Sequence, residues 1–349
     1  MLRALATVLG LIGGAAAMAE IESGGAPRHT LLEFSDLDGW EGDDHGAALE
    51  AFLASCRRPD HPDWDALCAT AEGLAPEQAR GFFEGFFRPV LIEDGRQGTV
   101  FTAYYEPELV GSPRRTARFR IPLYAVPPDL PEGRAWLTRA QIEAGALAGR
   151  GLEIAWVEDP VDLFFLQVQG SGRIRFPGGG GLRVGYGGKN GHEYRSVGQE
   201  MIRRGLVEPH EASAQVIRAF VRANPSAGRT LLQHNESYVF FRNVEVDATE
   251  GPLGALNVSI TPHRSVAVDP AFHPLGAPVW IEMDGREPIR RLVVAQDTGS
   301  AIKGAQRADI FWGTGTEAGI AAGRVRNPGR MVTLLPIREA YALAPDPGI

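Results

Sequence analysis

Leu292-Val293-Val294-Ala295-Gln296-Asp297-Thr298-Gly299-Ser300 is the stretch on which the fold turns. The apolar run Leu292 to Ala295 suits a strand, and Thr298-Gly299-Ser300 supplies the turn chemistry that stops it. Shorter runs of the same kind surround it: Val258 to Ile260, Ser265 to Val268, Val279 to Glu282 and Met331 to Leu335. Several short strands separated by turn signals suggest a small β-barrel or sandwich. Three acids stand at strand edges in this region. Asp297 follows Leu292 to Ala295, Asp269 follows Ser265 to Val268, and Asp309 lies between Ala308 and Ile310-Phe311-Trp312. Any of them could be a turn cap. Asp309 stands apart, because apolar neighbours would desolvate its carboxyl group, raise its pKa and keep it protonated as a general acid.

Upstream the pattern changes twice. Leu49, Phe52, Leu53 and Cys56 follow helical spacing, as do Trp64, Leu67, Cys68 and Ala71, and Pro76 opens a third predicted helix. From about Thr99 the chain turns to strands. Val100 to Tyr105 stops at Pro107, and Leu163 to Gln169 reads as another strand ending at Gly170-Ser171-Gly172. Arg173 to Phe176 closes on Gly178 to Gly181, which reads as a loop tip and not a phosphate cradle. Two helices are predicted next, about Ser196 to Arg204 and about Glu211 to Ala223, the second ended by Asn224-Pro225.

Composition narrows the function classes. The chain has 349 residues, enough for two domains or one large one, with 44% hydrophobic and 22% charged residues. Its 43 glycines and 25 prolines show no period, which favours turns in a β-rich fold. A net charge of −8 argues against a nucleic-acid partner, although one cleft can still be locally basic. Arg3, the apolar run Ala4 to Ala17 and Ala17-Met18-Ala19 have the anatomy of a signal peptide cleaved after Ala19. That run is short of the roughly twenty apolar residues of a permanent span, and no other stretch is apolar enough. No cysteine stands at the cleavage site to accept a lipid anchor. For Cys56 and Cys68, a disulfide and two free buried thiols both remain open.

The eight histidines show no metal-ligand spacing and there is no C-x-x-C, so neither a metal nor a cofactor is assigned. No G-x-S-x-G elbow is present. Gly313-Thr314-Gly315-Thr316-Glu317-Ala318 imitates a nucleotide fingerprint, but fewer than forty residues follow Gly313, too few for the helix and further parallel sheet that fingerprint needs.

Several blocks together carry a resemblance. They are Phe101-Thr102-Ala103-Tyr104-Tyr105-Glu106-Pro107, Leu166-Gln167-Val168-Gln169-Gly170-Ser171-Gly172 and Gly185-Tyr186-Gly187-Gly188-Lys189-Asn190-Gly191-His192. Tyr194 to Gly198, Val239-Phe240-Phe241, Ala295 to Gly304 and Ala308 to Gly313 complete the set. In this order they resemble the membrane-bound lytic murein transglycosylase A family, and the C-terminal part is similar to the three-aspartate (3D) domain, with Asp269, Asp297 and Asp309 as its acids. The resemblance implies a mainly β fold with helices. A double-psi β-barrel domain would take residues 20–106 plus 246–349 with the N-terminal helices, and an inserted β-domain would take 107–245. A deep groove would separate the two.

The activity so implied is cleavage of the β-1,4 bond between N-acetylmuramic acid and N-acetylglucosamine in peptidoglycan, without water, leaving 1,6-anhydromuramic acid ends. Asp309 would be the single acid/base, Asp297 would orient it or polarise the groove, and Asp269 would be structural. Tyr104, Tyr105, Gln167, Gln169, Gly170, Ser171, Tyr186, Lys189 and Asn190 would contact sugar. The partner would be the glycan strands and the location the periplasm. A hydrolase using the same cleft, or a wall-binding module without activity, are the competing readings.

Overall fold

The computed structural model describes residues 26–56, 62–95, 98–245 and 250–344. The predicted signal peptide, residues 1–19, lies outside the described residues. In chain order the strands are β1 (Arg28–Leu31), β2 (Phe87–Glu93) and β3 (Val100–Glu106), followed by six that build a separate sheet. Those six are β4 (Glu108–Ser112), β5 (Ile121–Tyr124), β6 (Glu153–Val157), β7 (Gly172–Arg175), β8 (Gly181–Lys189) and β9 (Val239–Asn243). The chain then returns through β10 (Ser265–Val268), β11 (Pro278–Met283), β12 (Ile289–Thr298), β13 (Arg307–Thr314), β14 (Arg326–Asn327) and β15 (Gly329–Pro336). The first and last groups form one nine-stranded sheet in the order β1-β2-β15-β11-β12-β10-β13-β3-β14, and the middle group forms a six-stranded sheet, β5-β6-β4-β7-β8-β9. The fold is the predicted one, a double-psi β-barrel domain with helices, a second β-domain inserted into it, and a groove between them.

Burial explains the barrel. β11 is buried at every position and β12 over five consecutive residues. Val266, Val268, Val279, Ile281, Val293, Ala295, Ala308 and Ile310 close an apolar interior on one face. The opposite face of β11 and β12 receives the N-terminal helices α1 (His45–Ser55), α2 (Pro62–Glu72) and α3 (Ala79–Phe86) through Phe52, Phe82, Phe83, Phe87 and Trp280. Asp44 caps α1 by accepting from the Ala47 N–H at 3.0 Å. A disulfide joins Cys56, at the C-terminal end of α1, to Cys68 within α2, which resolves the two readings of the cysteines.

The middle segment adds α4 (Arg139–Gln141), α5 (Pro160–Gln169), α6 (Val197–Arg203), α7 (Ala214–Ala223) and α8 (Pro225–Leu232). Three sequence expectations are corrected here. Leu163 to Gln169 is not a strand but most of α5, because Asp159 caps it, Pro160 takes the first helical position and Gly170, at φ 80°, ends it. Pro225 ends one helix but also opens the next, and the helix expected from Glu211 starts at Ala214 behind a Ser213 cap. Val258 to Ile260 forms only an isolated bridge, Leu253 to Ser259. Gly178 to Gly180 lie in the turn between β7 and β8, as expected, and Gly181 begins β8. After Gly313 the chain does supply a helix, α9 (Gly315–Ala322), but the strands beyond it pair antiparallel to their neighbours. The context of a nucleotide fold is therefore missing.

The chain passes between the sheets at two places that one charge cluster holds together. Glu106, at the end of β3, is fully buried. It accepts from Arg183 Nε at 2.6 Å, Arg173 Nε at 2.9 Å and Thr314 Oγ1 at 2.8 Å. The same two arginines donate to the Glu250 carbonyl, on the returning segment, at 2.8 and 3.1 Å.

Candidate active site

A β-bulge aims the first acid. β12 runs parallel to β10 with Ser265 opposite Val294 and Val266 opposite Ala295. The register then slips, and Ala267 faces Asp297. The extra residue is Gln296, fully buried, which donates Nε2 to the Ala51 carbonyl (2.8 Å) and Ser55 Oγ (2.9 Å) and accepts from Ser265 Oγ. Side chains alternate along a strand, so an unbroken β12 would send Asp297 after Val293 and Ala295 into the apolar interior. The bulge turns it to the opposite face, that of Ala267.

The second acid joins the same row. β13 pairs antiparallel with β10, setting Asp309 opposite Ala267, and parallel with β3, setting Asp309 opposite Thr102. Asp297, Ala267, Asp309 and Thr102 thus stand side by side across four strands. At the usual strand spacing the two aspartate backbones are about 10 Å apart. Thr102 donates its hydroxyl to Asp309 Oδ1 and accepts from Arg307 Nη2 at 2.8 Å. Tyr104, two residues further along β3, packs on Phe311 and donates its hydroxyl to Asp297 Oδ2 at 2.8 Å. Asp297 Oδ1 accepts the Ala255 and Thr298 N–H groups at 3.0 and 2.9 Å.

These surroundings move the protons. Burial lifts the Asp297 carboxyl to about 6 against three hydrogen bonds that favour its charged form, and the nearby Asp309 charge adds to the rise. Burial also raises Asp309, with Thr102 and the Arg307 guanidinium holding it back. Burial and the two acids push the Tyr104 phenol well above its ordinary range, so it stays a donor. Asp269 behaves otherwise. Burial works against its charge, but the Gly304 and Ala271 N–H groups and Lys303 overcome this and hold it below the usual carboxylate value. It accepts from Gly304 at 2.9 Å and so ties the 299–304 loop to the end of β10.

A cleft of about 520 Å³ opens over this region, with Asp297, Thr298 and Lys303 on the barrel side. Asp309 does not line it and is set back beyond Ala267. Gln167, Gln169, Gly170 and Ser171, from the C-terminal end of α5, and Tyr186 and Lys189 from β8 form the opposing wall. Gln167 accepts from Arg139 Nη1 at 2.7 Å, and Gln169 accepts the Tyr105 N–H at 3.0 Å. Three sequence candidates for sugar contact remain. Tyr104 is buried, its hydroxyl donating to Asp297. The Tyr105 ring packs against Gly319 of α9, and its hydroxyl accepts from Arg218 at 3.1 Å. Asn190 is buried, its amide donating to the Leu137 and Glu236 carbonyls and accepting the Tyr238 N–H, each at 2.8 Å. None of the three lines this cleft. Thr102, Arg307 and the Ala255 N–H were not singled out from the sequence; only their long-range pairing gives them a part. A larger cavity of about 1050 Å³ lies by Trp156 and Arg222, remote from the aspartate row, and shares with the cleft only Arg139.

Comparison with known proteins bears on the family and the fold. The MltA specific insert domain matches residues 100–242, and the 3D domain matches residues 264–335. The membrane-bound lytic murein transglycosylase A of Vibrio cholerae is 35% identical over 267 residues, covering 72% of this chain and 70% of that protein. The Escherichia coli protein of the same name is 38% identical over 252 residues, covering 69% and 67%. A membrane-bound lytic murein transglycosylase of Agrobacterium tumefaciens superimposes with a TM-score of 0.81 at 35% identity, covering 90% of this chain and 99% of that one. E. coli MltA, solved with bound chitohexaose, gives 0.71 at 31% identity, covering 84% and 90%.

Proposed function

We propose, for a chain that belongs to the membrane-bound lytic murein transglycosylase A family and is a peptidoglycan lytic transglycosylase, a non-hydrolytic cut made with Asp309 as acid and then base. The bond is the β-1,4 link from N-acetylmuramic acid to N-acetylglucosamine. Asp309 gives its proton to the bridging oxygen as the bond from that oxygen to muramic acid C1 breaks. The C6 hydroxyl oxygen of the same sugar bonds to C1 and its proton passes to Asp309, which ends as it began. The product end is 1,6-anhydromuramic acid. An ordinary glycosidase needs a second carboxylate to supply or activate its nucleophile. Here the substrate supplies it, so one carboxyl group suffices.

The observation that carries this reading is the row of Asp297, Ala267, Asp309 and Thr102, in which burial raises both acids. Asp297, held by Tyr104 and two backbone N–H groups, would polarise the site, and Asp269 would be structural. Gln167, Gln169, Gly170, Ser171, Tyr186 and Lys189 would contact the glycan. The domain division we propose is 20–106 with 246–349, and 107–245, in keeping with six strands of one sheet between Glu108 and Asn243. No helix among the described residues is long and apolar enough to cross a membrane. A chain that cuts peptidoglycan would act in the periplasm.

A second assignment has one observation in its favour: Asp297 itself lines the cleft, and burial pushes its carboxyl up to about 6, which suits a proton carrier. Wild type, Asp309→Asn and Asp297→Asn, each from Glu20 onward, are incubated with purified peptidoglycan and the fragments weighed by mass spectrometry. Anhydro-ended fragments from wild type, with a loss of about a hundred- to ten-thousand-fold in Asp309→Asn and a smaller one in Asp297→Asn, are expected. The reverse ranking would move the acid to Asp297. Ends carrying an added water would make the chain a hydrolase.

A further inference from the structure

We infer that the cleft reads charge as well as sugar: Lys189 and Lys303, on opposite walls, bind a carboxylate carried by the muramic acid residue. This rests on the peptidoglycan reading above. The chain has a net charge of −8, yet the described residues lining the cleft include Arg139, Lys189, Arg242 and Lys303 against one acid, Asp297. Arg139 is buried, donating to Gln167 and to the Asn235 and Ser237 carbonyls. Arg242 is committed, donating to Asn257 Oδ1 at 2.7 Å and to the Tyr186 carbonyl at 3.3 Å. The Lys189 side chain is exposed and makes no hydrogen bond or ion pair among the described residues. Its backbone is held, since Lys189 pairs with Val239 and the next residue is the buried Asn190. Among the described residues Lys303 reaches only Asp269, at 3.5 Å, and its side chain remains 58% exposed.

A glycan backbone of N-acetylated sugars offers hydroxyls and acetamides, and hydrogen bonds alone would serve it. Its charge lies on the muramic acid substituent, as the lactyl carboxylate of a strand stripped of peptide or as the carboxylates of an attached stem. Cations facing each other across the cleft match that feature and nothing in an uncharged polysaccharide. Exposed pairs of this kind are weak and screened by salt, so they tune discrimination more than total affinity.

The test measures binding by calorimetry in the Asp309→Asn chain at low and high salt. Three ligands are compared: amidase-stripped glycan strands, solubilised strands with stem peptides, and a chitooligosaccharide without carboxylates. Lys189→Gln and Lys303→Gln should each lower the affinity ratio of charged to uncharged ligand by roughly two- to fivefold, with a weaker salt dependence. Lys189→Arg should restore it. Loss confined to stripped strands assigns the lactyl carboxylate, and loss confined to peptide-bearing strands assigns the stem. An unchanged ratio in the double variant overturns the inference while leaving the parent reading intact. Failure of every protein to bind any peptidoglycan ligand overturns both.

Discussion

Asp297 and Asp309 share one face of the barrel sheet with only Ala267 between them, although they lie on strands that do not pair with each other. Ala267 has no side chain beyond Cβ, so the Tyr104 ring can lie across the row from β3 and reach Asp297. The two acids feel one another through this gap, and their protons are best regarded as belonging to a pair.

Arg307 should set the alkaline limit of activity. Its guanidinium lowers the Asp309 pKa and also donates to Thr102, which in turn donates to Asp309. Removing that charge lets the carboxyl keep its proton to higher pH. For Arg307→Gln, the alkaline limb of kcat/KM for peptidoglycan fragment release is expected to move to higher pH. A limb that stays in place or moves to lower pH would argue that Asp309 is not the titrating acid.

Asp297 should make stability fall as pH rises. Folded, it releases its proton at about 6, against an ordinary value of 3.8, so between those values the folded chain holds more protons than the unfolded one. Its contribution is therefore fully present below about 3.8 and lost as pH rises through 6. Asp297→Asn cannot ionise. Although it loses hydrogen-bond acceptors and starts less stable, its urea midpoint should decline less than wild type from pH 4 to pH 7. Parallel declines would contradict the raised carboxyl.

Part of this site could be read from the sequence, and the rest could not for identifiable reasons. The barrel strands and three acids were legible because apolar runs and turn residues are local signals. The α5 segment misled because Gln167 and Gln169 alternate with Leu166 and Val168 behind a short apolar run, which fits a buried helix as well as a strand. The deciding cues, Asp159-Pro160 before it and Gly170 after it, lay just outside the run. The bulge at Gln296 leaves no trace in residue type, since it depends on Ser265 of a neighbouring strand and on Ala51 and Ser55 of α1. Asn190 looked like a sugar contact because its type suits one; only the fold shows its amide already occupied.

The Cys56–Cys68 disulfide should matter to the helical layer. Bridging residues 12 apart restricts the unfolded chain, an effect worth about 3 kcal/mol for a loop of this size. A reductant that opens the bond, or Cys56→Ala with Cys68→Ala, should lower the unfolding free energy by about that amount. Urea denaturation with and without reductant measures it, and a change under about 0.5 kcal/mol, the usual size of a neutral substitution, would mean the layer does not depend on the bond.

Glu106 should be the most costly single charge to remove. It is fully buried where β3 leaves the barrel, and Arg183 beside it is only 8% exposed, so neither charge can turn to water for compensation. The arginines that bind it also bind the Glu250 carbonyl on the returning segment, which makes one carboxylate the link between both crossings. Glu106→Gln keeps the shape and removes the charge to which both guanidiniums donate. Breaking such a pair from one side costs about 3–5 kcal/mol, far above the usual surface substitution. The urea unfolding free energy should drop by that amount. Because the cleft lies between the parts these crossings join, KM for glycan strands should rise as well. A stability loss without any change in KM would show that the cluster holds the fold but does not set the opening of the cleft.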